Sequence, residues 1–470
     1  MPYIKITEED ITPFASFDTV ENVVLVFGFD YRILAQNSGL KFIKDFKLFT
    51  SLRDFYTYIK ANNATVLQGD MSYPSKRGFV TAYDCLANGL PVIYVPLDDY
   101  IPEEAIYENS EGVRYLNYDW LSNPDIVPSR EDWPETLPYE YHDRFANKDQ
   151  NYAGDAIIEL VGANEITSEG SVTSVPKIDF ADRINMPFTF ITTAGLDNKL
   201  VYSQIITSCA GSAGRPRYDF LYLYDIAPNI EPADIIAGTA EVPDSSAARS
   251  ENTALVYPWG TYSSNTSSGS IHMPGSYGYL MAYANSIKTN KPWLAVAGIH
   301  RGYIPNILGV DYQISEPYIH AFQGDDVVGT EDCNVRVNPI VNFGQNMGTI
   351  IFGNRTNFIP SGTDVSFKSF LNIRLLLIFL NKQAYVASVQ HMFEPNDDIV
   401  WLSFKQKVNE LLEQMVSGRG IKWYKWYKLQ PDRLGQIKAK LVIRPIEAVE
   451  AFEVIISMTD TDISVTLQGE

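Results

Sequence analysis

Two long stretches of helical periodicity, separated by only a few residues, constrain this chain more than any other feature of its sequence. The first, FKSFLNIRLLLIFLNKQAYVASVQHMF, runs from about 367 to 392 and is apolar on most sides, which predicts a largely buried helix. The second, DIVWLSFKQKVNELLEQMVSGRG, starts at 398 and is amphipathic, and Gly418 and Gly420 end it. The sequence therefore predicts a helical hairpin in the last third of the chain.

The turn between the two predicted helices has the sequence Phe393-Glu394-Pro395-Asn396. Pro395 disfavours the helical conformation at Glu394 and so ends the first helix. Asn396 or Asp397 can cap the second helix, because either side chain can accept hydrogen bonds from its first backbone amides. We interpret these residues as a structural turn that fixes the shape of the hairpin.

The length of 470 residues exceeds the size at which a single core stops growing, and so predicts several domains. Short apolar runs such as VVLVFGF (23–29), FTFITTAG, YDFLYLYDI and PWLAVAGI alternate with helical patterns in the first hundred residues and again from about 154 to 310. This alternation predicts an α/β beginning and a second α/β layer. After the hairpin, KWYKWYKL, IKAKLVIRPI and AFEVIISM predict two or three strands. The fold class is a mixed α/β (α+β) chain.

Changes in pattern divide the chain into six predicted regions. They are an N-terminal arm (1–20), an N-terminal α/β segment (21–96), an acidic insertion expected to face outward (97–153), a middle α/β domain (154–330), a C-terminal domain (331–459) and a C-terminal arm (460–470). Each arm has a short apolar pattern but too little apolar material to fold alone.

The formal net charge of −20 disfavours general binding to nucleic acids or anionic membranes, because both partners are negative. The charge is unevenly spread. Residues 97–160 hold sixteen acidic and four basic side chains, whereas residues 336–444 hold fifteen basic and seven acidic ones. An acidic and a basic module in one chain can meet different partners.

Cysteine content and hydropathy indicate the redox compartment and the solubility expected of the chain. Cys85, Cys209 and Cys333 are odd in number and far apart, which argues against a disulfide framework or a cysteine-based zinc site and favours a reducing compartment. The first residues show no signal-peptide pattern, and the longest apolar run, Leu375–Leu380, is far too short to span a membrane. The sequence therefore predicts a soluble protein.

The sequence contains none of the following motifs of enzymes and cofactor-binding proteins. The five histidines show no H-E-x-x-H spacing, no G-x-S-x-G motif surrounds Ser267, Ser268 or Ser276, and no Gly-Lys-Ser/Thr phosphate loop occurs. The carboxylates of 97–160 lack the spacing of a calcium loop. We therefore predict no catalytic residue, metal or cofactor.

Nucleic-acid binding stays open as an alternative because of KWYKWYK (422–428), which interleaves basic and aromatic residues. The net charge of the chain stands against it. Lysines at every third position fit neither side of a flat strand, so part of this segment is predicted to be irregular.

Three segments together carry a resemblance to a known family. NVRVNPIVNFGQNMGTIIFGNRT, LNIRLLLIFLNKQAYVASVQHMFEPND and RPIEAVEAFEVIISM resemble the C-terminal domain of contractile tail sheath proteins from myovirus-type bacteriophages and R-type pyocins. The shared order is an Asn-Pro-Ile turn, a strand ending in Gly-x-Arg-Thr, an Asn-Ile-Arg helix and the Phe-Glu-Pro-Asn turn. KPWLAVAGIHRGYI (291–304) is similar to a PW-x-x-PAG element of the preceding domain, with Val296 in place of proline.

The resemblance implies a structural, non-enzymatic subunit that assembles as a helical homo-oligomer of stacked hexameric rings around a tail tube and contracts to drive the tube through a cell envelope. It implies a middle domain of subtilisin-like topology without catalysis. The implied partners are other copies, the tail tube protein, and the baseplate and tail terminator proteins. The implied location is the virion, after assembly in the bacterial host cytoplasm. The sheath of a phage-derived, pyocin-like injection particle is the alternative.

The resemblance also implies site residues. The second helix lies along the inner wall of the sheath, where Lys405 and Lys407 are the candidates for contact with an acidic tube, with Arg374 and Lys382 as secondary candidates. Exposed ion pairs of this kind contribute about 0.2–1 kcal/mol each. The arms complete a β-sheet with neighbouring subunits. The predicted arm contacts are Tyr3, Ile4, Ile6, Ile463, Val465 and Leu467.

Overall fold

The computed structural model describes residues 22–29, 46–62, 77–97, 106–108, 114–116, 180, 182–195, 199–210, 217–228, 230–246, 249–263, 269–324, 334–344, 347–360, 366–431 and 436–448. Both predicted arms, the third predicted C-terminal strand (451–458) and most of the acidic insertion lie outside these ranges. The six predicted arm contacts therefore stay predictions.

Fifteen strands and nine α-helices are described, and their bounds are as follows. The strands are β1 (Val24–Phe29), β2 (Lys47–Phe49), β3 (Val92–Leu97), β4 (Ile106–Glu108), β5 (Arg114–Leu116), β6 (Phe190–Thr192), β7 (Leu221–Asp225), β8 (Thr253–Tyr257), β9 (Gly260–Ser263), β10 (Ser270–Met273), β11 (Ile307–Val310), β12 (Val337–Asn342), β13 (Thr349–Ile351), β14 (Ile421–Leu429) and β15 (Lys438–Pro445). The helices are α1 (Leu52–Asn62), α2 (Arg77–Ala87), α3 (Lys199–Ala210), α4 (Pro232–Ile236), α5 (Gly275–Ile287), α6 (Gly298–Arg301), α7 (Glu316–Gln323), α8 (Leu371–Gln390) and α9 (Asp398–Ser417).

One eight-stranded sheet organises most of these elements, in the order β13-β12-β8-β7-β6-β1-β3-β2. Its six central strands are mutually parallel, and β2 and β13 close its two edges in antiparallel fashion. The central strands are near-continuous runs of apolar residues, as expected for strands that are covered on both faces. We call this sheet and the helices on its two faces the body.

Alternate residues of each central strand enter two different cores. Val24 and Val26 of β1 belong to the core beneath α1, α2 and α5, whereas Leu25 and Phe27 belong to the core beneath α3, α4 and α7. Gly89, at a φ of +86°, follows the end of α2, where this backbone conformation favours glycine. The body is thus a three-layer α/β arrangement with two complete cores.

Three of the predicted regions contribute strands to one sheet. Strands from residues 21–96, 154–330 and 331–459 all join the eight-stranded sheet, so the predicted second α/β layer continues the first. Three shorter sheets accompany it: β10-β9-β11, β14-β15 and, within the acidic insertion, β4-β5.

Two local expectations are wrong. The predicted Asn-Pro-Ile turn is the centre of strand β12, where Pro339 lies opposite Tyr257 and accepts a hydrogen bond from the Phe352 amide at 2.8 Å. The apolar run PWLAVAGI is not a strand. It is a turn that leads into α6, with Trp293 and Val296 buried. Proline and tryptophan here serve packing, which local periodicity does not reveal.

Candidate functional site

The predicted helical hairpin is formed by α8 and α9, and the β14-β15 sheet packs against it. These four elements, here called the C-terminal unit, surround a third and smaller core. Its buried members are Trp293, Leu376, Leu380, Ala387, Val408, Leu412, Met415 and Ile421. The first helix starts after a 3-10 turn at Phe367–Ser369 and ends at Gln390, close to the predicted bounds.

The turn between α8 and α9 is held by capping. The Asp397 carboxylate accepts hydrogen bonds from the amides of Ile399 and Val400, both at 3.0 Å, so Asp397 is the N-cap of α9. Phe393 adopts a left-handed φ of +69° and its side chain is fully exposed. The side chains of 394–396 are also exposed, so the Phe-Glu-Pro-Asn residues add nothing to the core.

The β14-β15 sheet turns one face towards α9. The Tyr424 hydroxyl donates to Glu413 at 2.6 Å, and Trp426 Nε1 donates to Asn409 at 2.8 Å. Because side chains alternate along a strand, the odd-numbered residues of β14 from 423 to 429 point away from α9, whereas Ile421, before the register shift, is buried in the third core. Pairing is regular from 423 to 429, with a register shift between Ile421 and Trp423. The predicted irregularity of this segment is therefore wrong beyond its first residues.

The two lysines predicted to contact a tube lie on different sides of α9. Lys405 is half-buried, whereas Lys407 is exposed and donates to Gln390 of α8 at 2.6 Å. Two residues apart on a helix differ in direction by about 200°. Lys407 lines a groove of about 300 Å³ between α8 and α9, together with apolar residues such as Leu411. The pair therefore does not form one flat basic surface.

Arg374 and Lys382 are buried in contacts with the body, which corrects their place as secondary tube contacts. Arg374 donates to the Tyr218 carbonyl, and burial lowers the pKa of its guanidinium to about 10. Lys382 Nζ donates to the Pro187 carbonyl at 3.0 Å and to the Thr189 hydroxyl at 2.6 Å. Both side chains fasten α8 to the body.

Asparagines from the resemblance motifs come together beneath α8. Asn338 from the Asn-Pro-Ile motif donates to the carbonyls of Leu255 and Arg355 and accepts from the Arg355 amide. Asn354 from Gly-Asn-Arg-Thr donates to Asn372 from Asn-Ile-Arg at 2.8 Å. The three asparagines are at least 92% buried. The motifs thus build an internal joint between the body sheet and α8.

Trp293 forms a second joint. Its indole nitrogen donates to the Gly418 carbonyl at 3.2 Å. A Cβ atom at Gly418 or Gly420 would come within 2.9 Å of this indole. The glycines that end α9 are therefore required by close approach to Trp293. The sequence pattern predicted these glycines at the end of α9, but it did not predict their contact with Trp293.

The carboxyl edge of the body sheet contains a buried serine that could be mistaken for a nucleophile. Ser276 Oγ donates to Asp225 Oδ2 at 2.7 Å, and Asp225 Oδ1 accepts from the Ser276 amide at 2.7 Å. The Ser276 hydroxyl also lies 2.9 Å from that of Thr192. Ser276 has no exposed surface, so this network anchors the first turn of α5 to β7. Within the described ranges, no cluster of three or more His, Cys, Asp or Glu residues is arranged to hold a metal ion.

The helices that the structure describes include none with both the length and the apolar character needed to cross a membrane.

Comparisons with known proteins identify the architecture. No protein-family model matches the chain. The tail sheath protein of Vibrio phage KVP40 is 21% identical over 198 residues, which are 41% of this chain and 27% of that protein. A chain from the anti-feeding prophage baseplate superposes with a TM-score of 0.54 at 10% identity, covering 94% of both chains. A chain from the PVC sheath complex, an extracellular contractile injection system in its contracted state, superposes with a TM-score of 0.53 at 14% identity, covering 93% and 92%.

The chain is similar in sequence and in fold to contractile sheath proteins. The resemblance predicted from the motifs is confirmed, and so is the mixed α/β fold class. The matched segment spans about a quarter of the phage relative, 27% of its length. The two structural likenesses, at 10% and 14% identity, establish the fold.

Proposed function

We propose that this chain is the structural subunit of a contractile tail sheath. Copies polymerise helically around a tail tube in stacked hexameric rings, and contraction drives the tube through the envelope of a target cell. The similarity to sheath proteins in sequence and fold supports this proposal. The free energy of contraction comes from new contacts between bodies, while the arms keep subunits linked.

The single observation that carries the proposal is the β14-β15 sheet. In the part of the chain that the structure describes, neither strand pairs with a third one. A strand that has no partner on one side can accept a strand from another chain through its backbone hydrogen-bonding groups. The predicted arms, with Tyr3, Ile4, Ile6, Ile463, Val465 and Leu467, are the segments we propose to fill those edges.

The further partners and the location follow the same proposal. The tail tube contacts the C-terminal unit, with Lys407 the better placed of the two lysines because its side chain is exposed. Baseplate and tail terminator proteins bind the two ends of the sheath. The subunit assembles in the bacterial host cytoplasm and becomes part of the virion, or of a phage-derived, pyocin-like particle. The acidic insertion faces outward.

We assign no catalytic role to the chain. The buried Ser276 hydroxyl is hydrogen-bonded to Asp225 and has no access to a substrate. This supports a structural role for Ser276.

Electron microscopy of the purified protein tests the proposal. Negative-stain images of the intact chain are expected to show hollow tubes or rings, and a variant lacking residues 461–470 is expected to stay monomeric. Monomers from both proteins at high concentration, with tube protein added as well as without it, would overturn the proposal.

A further inference from the structure

The face of the β14-β15 sheet that points away from α9, here called the outer face, carries positive charge and no acidic residue. It consists of the odd-numbered residues of β14 from 423 to 429 and their register partners on β15. Neither strand contains Asp or Glu. Its basic and aromatic members are Lys425, Lys438, Lys440, Arg444, Trp423 and Tyr427.

Basic residues elsewhere on β14 already have acidic partners within the chain. Lys428 bonds to Asp398 at the start of α9, and Lys422 lies 3.7 Å from Glu447. On the outer face, by contrast, Arg444 and Lys440 are exposed. The outer face therefore offers positive charge to a partner outside the described C-terminal unit.

The C-terminal arm has the complementary pattern. If residues 460–470 extend as a strand, Ile463, Val465 and Leu467 lie on one side, because their spacing is two. Asp460 and Asp462 then lie on the opposite side. The arm contains three acidic residues and no Lys or Arg. An arm that adds to the β14-β15 sheet with its apolar side towards the helices places both aspartates over the basic outer face.

We infer that the outer face is an electrostatic receptor for the acidic side of the C-terminal arm of a second copy of this chain. This inference rests on the proposed arm exchange and adds to it the side of the arm that is recognised and the residues that recognise it. Opposite charges on adjacent strands stabilise pairing and oppose a one-residue slip, which would bury the aspartates and expose the isoleucine, valine and leucine.

The N-terminal arm fits the outer face less well. With Ile4 and Ile6 towards the helices, Lys5 would lie over the basic surface and be repelled. The charge pattern therefore selects the C-terminal arm.

Charge reversal tests the inference in full-length protein. At about 50 mM salt, K440E/R444E is expected to raise the critical concentration for tube formation about tenfold, because two attractions become repulsions. At about 1 M salt, where charges are screened beyond about 3 Å, the difference is expected to fall below about twofold. Adding D460K/D462K to K440E/R444E restores assembly to within about threefold of the wild type by exchanging the charges.

The matched control is K199E/K291E, which changes the net charge equally at two exposed lysines of the body. Its critical concentration is expected to follow the wild type. Thermal melts by circular dichroism establish that all variants are folded.

K425E, with a charge reversed on β14 alone, shows which edge receives the arm: an effect larger than that of K440E/R444E indicates β14, and a smaller one indicates β15.

A binding measurement separates this inference from the proposed function. A fluorescent peptide of residues 458–470 is titrated into intact protein by anisotropy, beside a single-stranded DNA of about 20 nucleotides. Salt-sensitive peptide binding that K440E/R444E weakens about tenfold supports the inference even if no tubes form, whereas absent tubes count against the sheath assignment. Equal behaviour of K440E/R444E and K199E/K291E in both assays overturns the inference. DNA binding through the outer face without peptide binding also overturns it, in favour of nucleic-acid recognition.

Discussion

The body and the C-terminal unit bury their sheets to very different extents. Every residue of β7 and β8 is buried, and helices cover both faces of the large sheet. In β14, only Ile421 is buried, and one face is open. The strands of the body are therefore covered by helices of the same chain, whereas the described part of the small sheet has one face exposed to solvent.

The largest expected loss of stability follows from replacing a buried arginine that holds loops of the body together. Arg217 is fully buried and donates to the carbonyls of Phe180, Met186 and Phe188 and to Asp219. Arg217→Met removes the buried donor of all four hydrogen bonds, so the free energy of unfolding should fall by about 4–5 kcal/mol. Urea denaturation followed by circular dichroism measures this loss.

Arg183 supplies the matched control for the buried arginine. It lies 3.4 Å from the same Asp219, but its side chain is 25% exposed. Arg183→Met should cost no more than about 1 kcal/mol. Equal losses for the two variants would show that burial is not what makes Arg217 important.

The second prediction concerns the joint between body and C-terminal unit. Trp293 is 3% exposed and packs on the glycines that end α9. Trp293→Ala should destabilise the C-terminal unit by about 3–4 kcal/mol through the cavity and the lost indole hydrogen bond. Hydrogen exchange should speed up in α9 and β14 while amides of β1 and β7 stay protected. Faster exchange throughout the body would instead show that the two regions unfold together.

Trp423 on the outer face is the contrasting tryptophan. It is 47% exposed, so Trp423→Ala should change the free energy of unfolding by no more than about 0.5 kcal/mol. If Trp423→Ala destabilises the isolated chain as much as Trp293→Ala, the outer face is a core surface within one subunit rather than a surface kept for a partner.

The two regions also differ in what the sequence could predict. Strands β1, β3 and β7 are continuous apolar runs, and α9 has an amphipathic period with a capping aspartate, so each was predictable from local pattern. Helix α5 was not, because it is buried on nearly all sides and therefore has no polar stripe. Its Gly278 looks like a loop residue, yet a Cβ there would lie 2.5 Å from the Tyr262 hydroxyl.

The site was predictable only in part, for a related reason. The motif asparagines are visible as a sequence pattern, but the hydrogen bonds from Asn338 to the Arg355 carbonyl and from Asn354 to Asn372 depend on tertiary contact. Lys405 and Lys407 are two residues apart, and this spacing turns side chains on a helix about 200° away from each other, so they do not share one face of α9. The outer face of β14 has the clearer signal, a period of two, but it becomes meaningful only when its register with β15 is known.

A smaller effect is expected at the hairpin turn. Asp397→Ala removes the acceptor for two amides of α9 and should cost about 1 kcal/mol. Asn396→Ala, one residue earlier and exposed, should be within about 0.5 kcal/mol of the wild type. Denaturation midpoints of the two variants measure the difference. A larger loss of stability for Asn396→Ala than for Asp397→Ala would show that Asp397 is not the N-cap of α9.

The smallest expected effect is a pH dependence at the sheet–helix contact. The hydrogen bond from the Tyr424 hydroxyl to Glu413 raises the pKa of Tyr424 to about 12. Because the folded pKa is above that of the unfolded chain, which is about 10, the fold favours the protonated phenol. This contribution is complete below about pH 10 and is lost as the pH rises through about 12. Ultraviolet difference titration of Tyr424→Phe against the wild type isolates this phenol, and Glu413→Gln should bring its pKa down towards the ordinary tyrosine value. An unchanged titration in Glu413→Gln would mean that the sheet rests on α9 through Trp426 and the apolar residues alone.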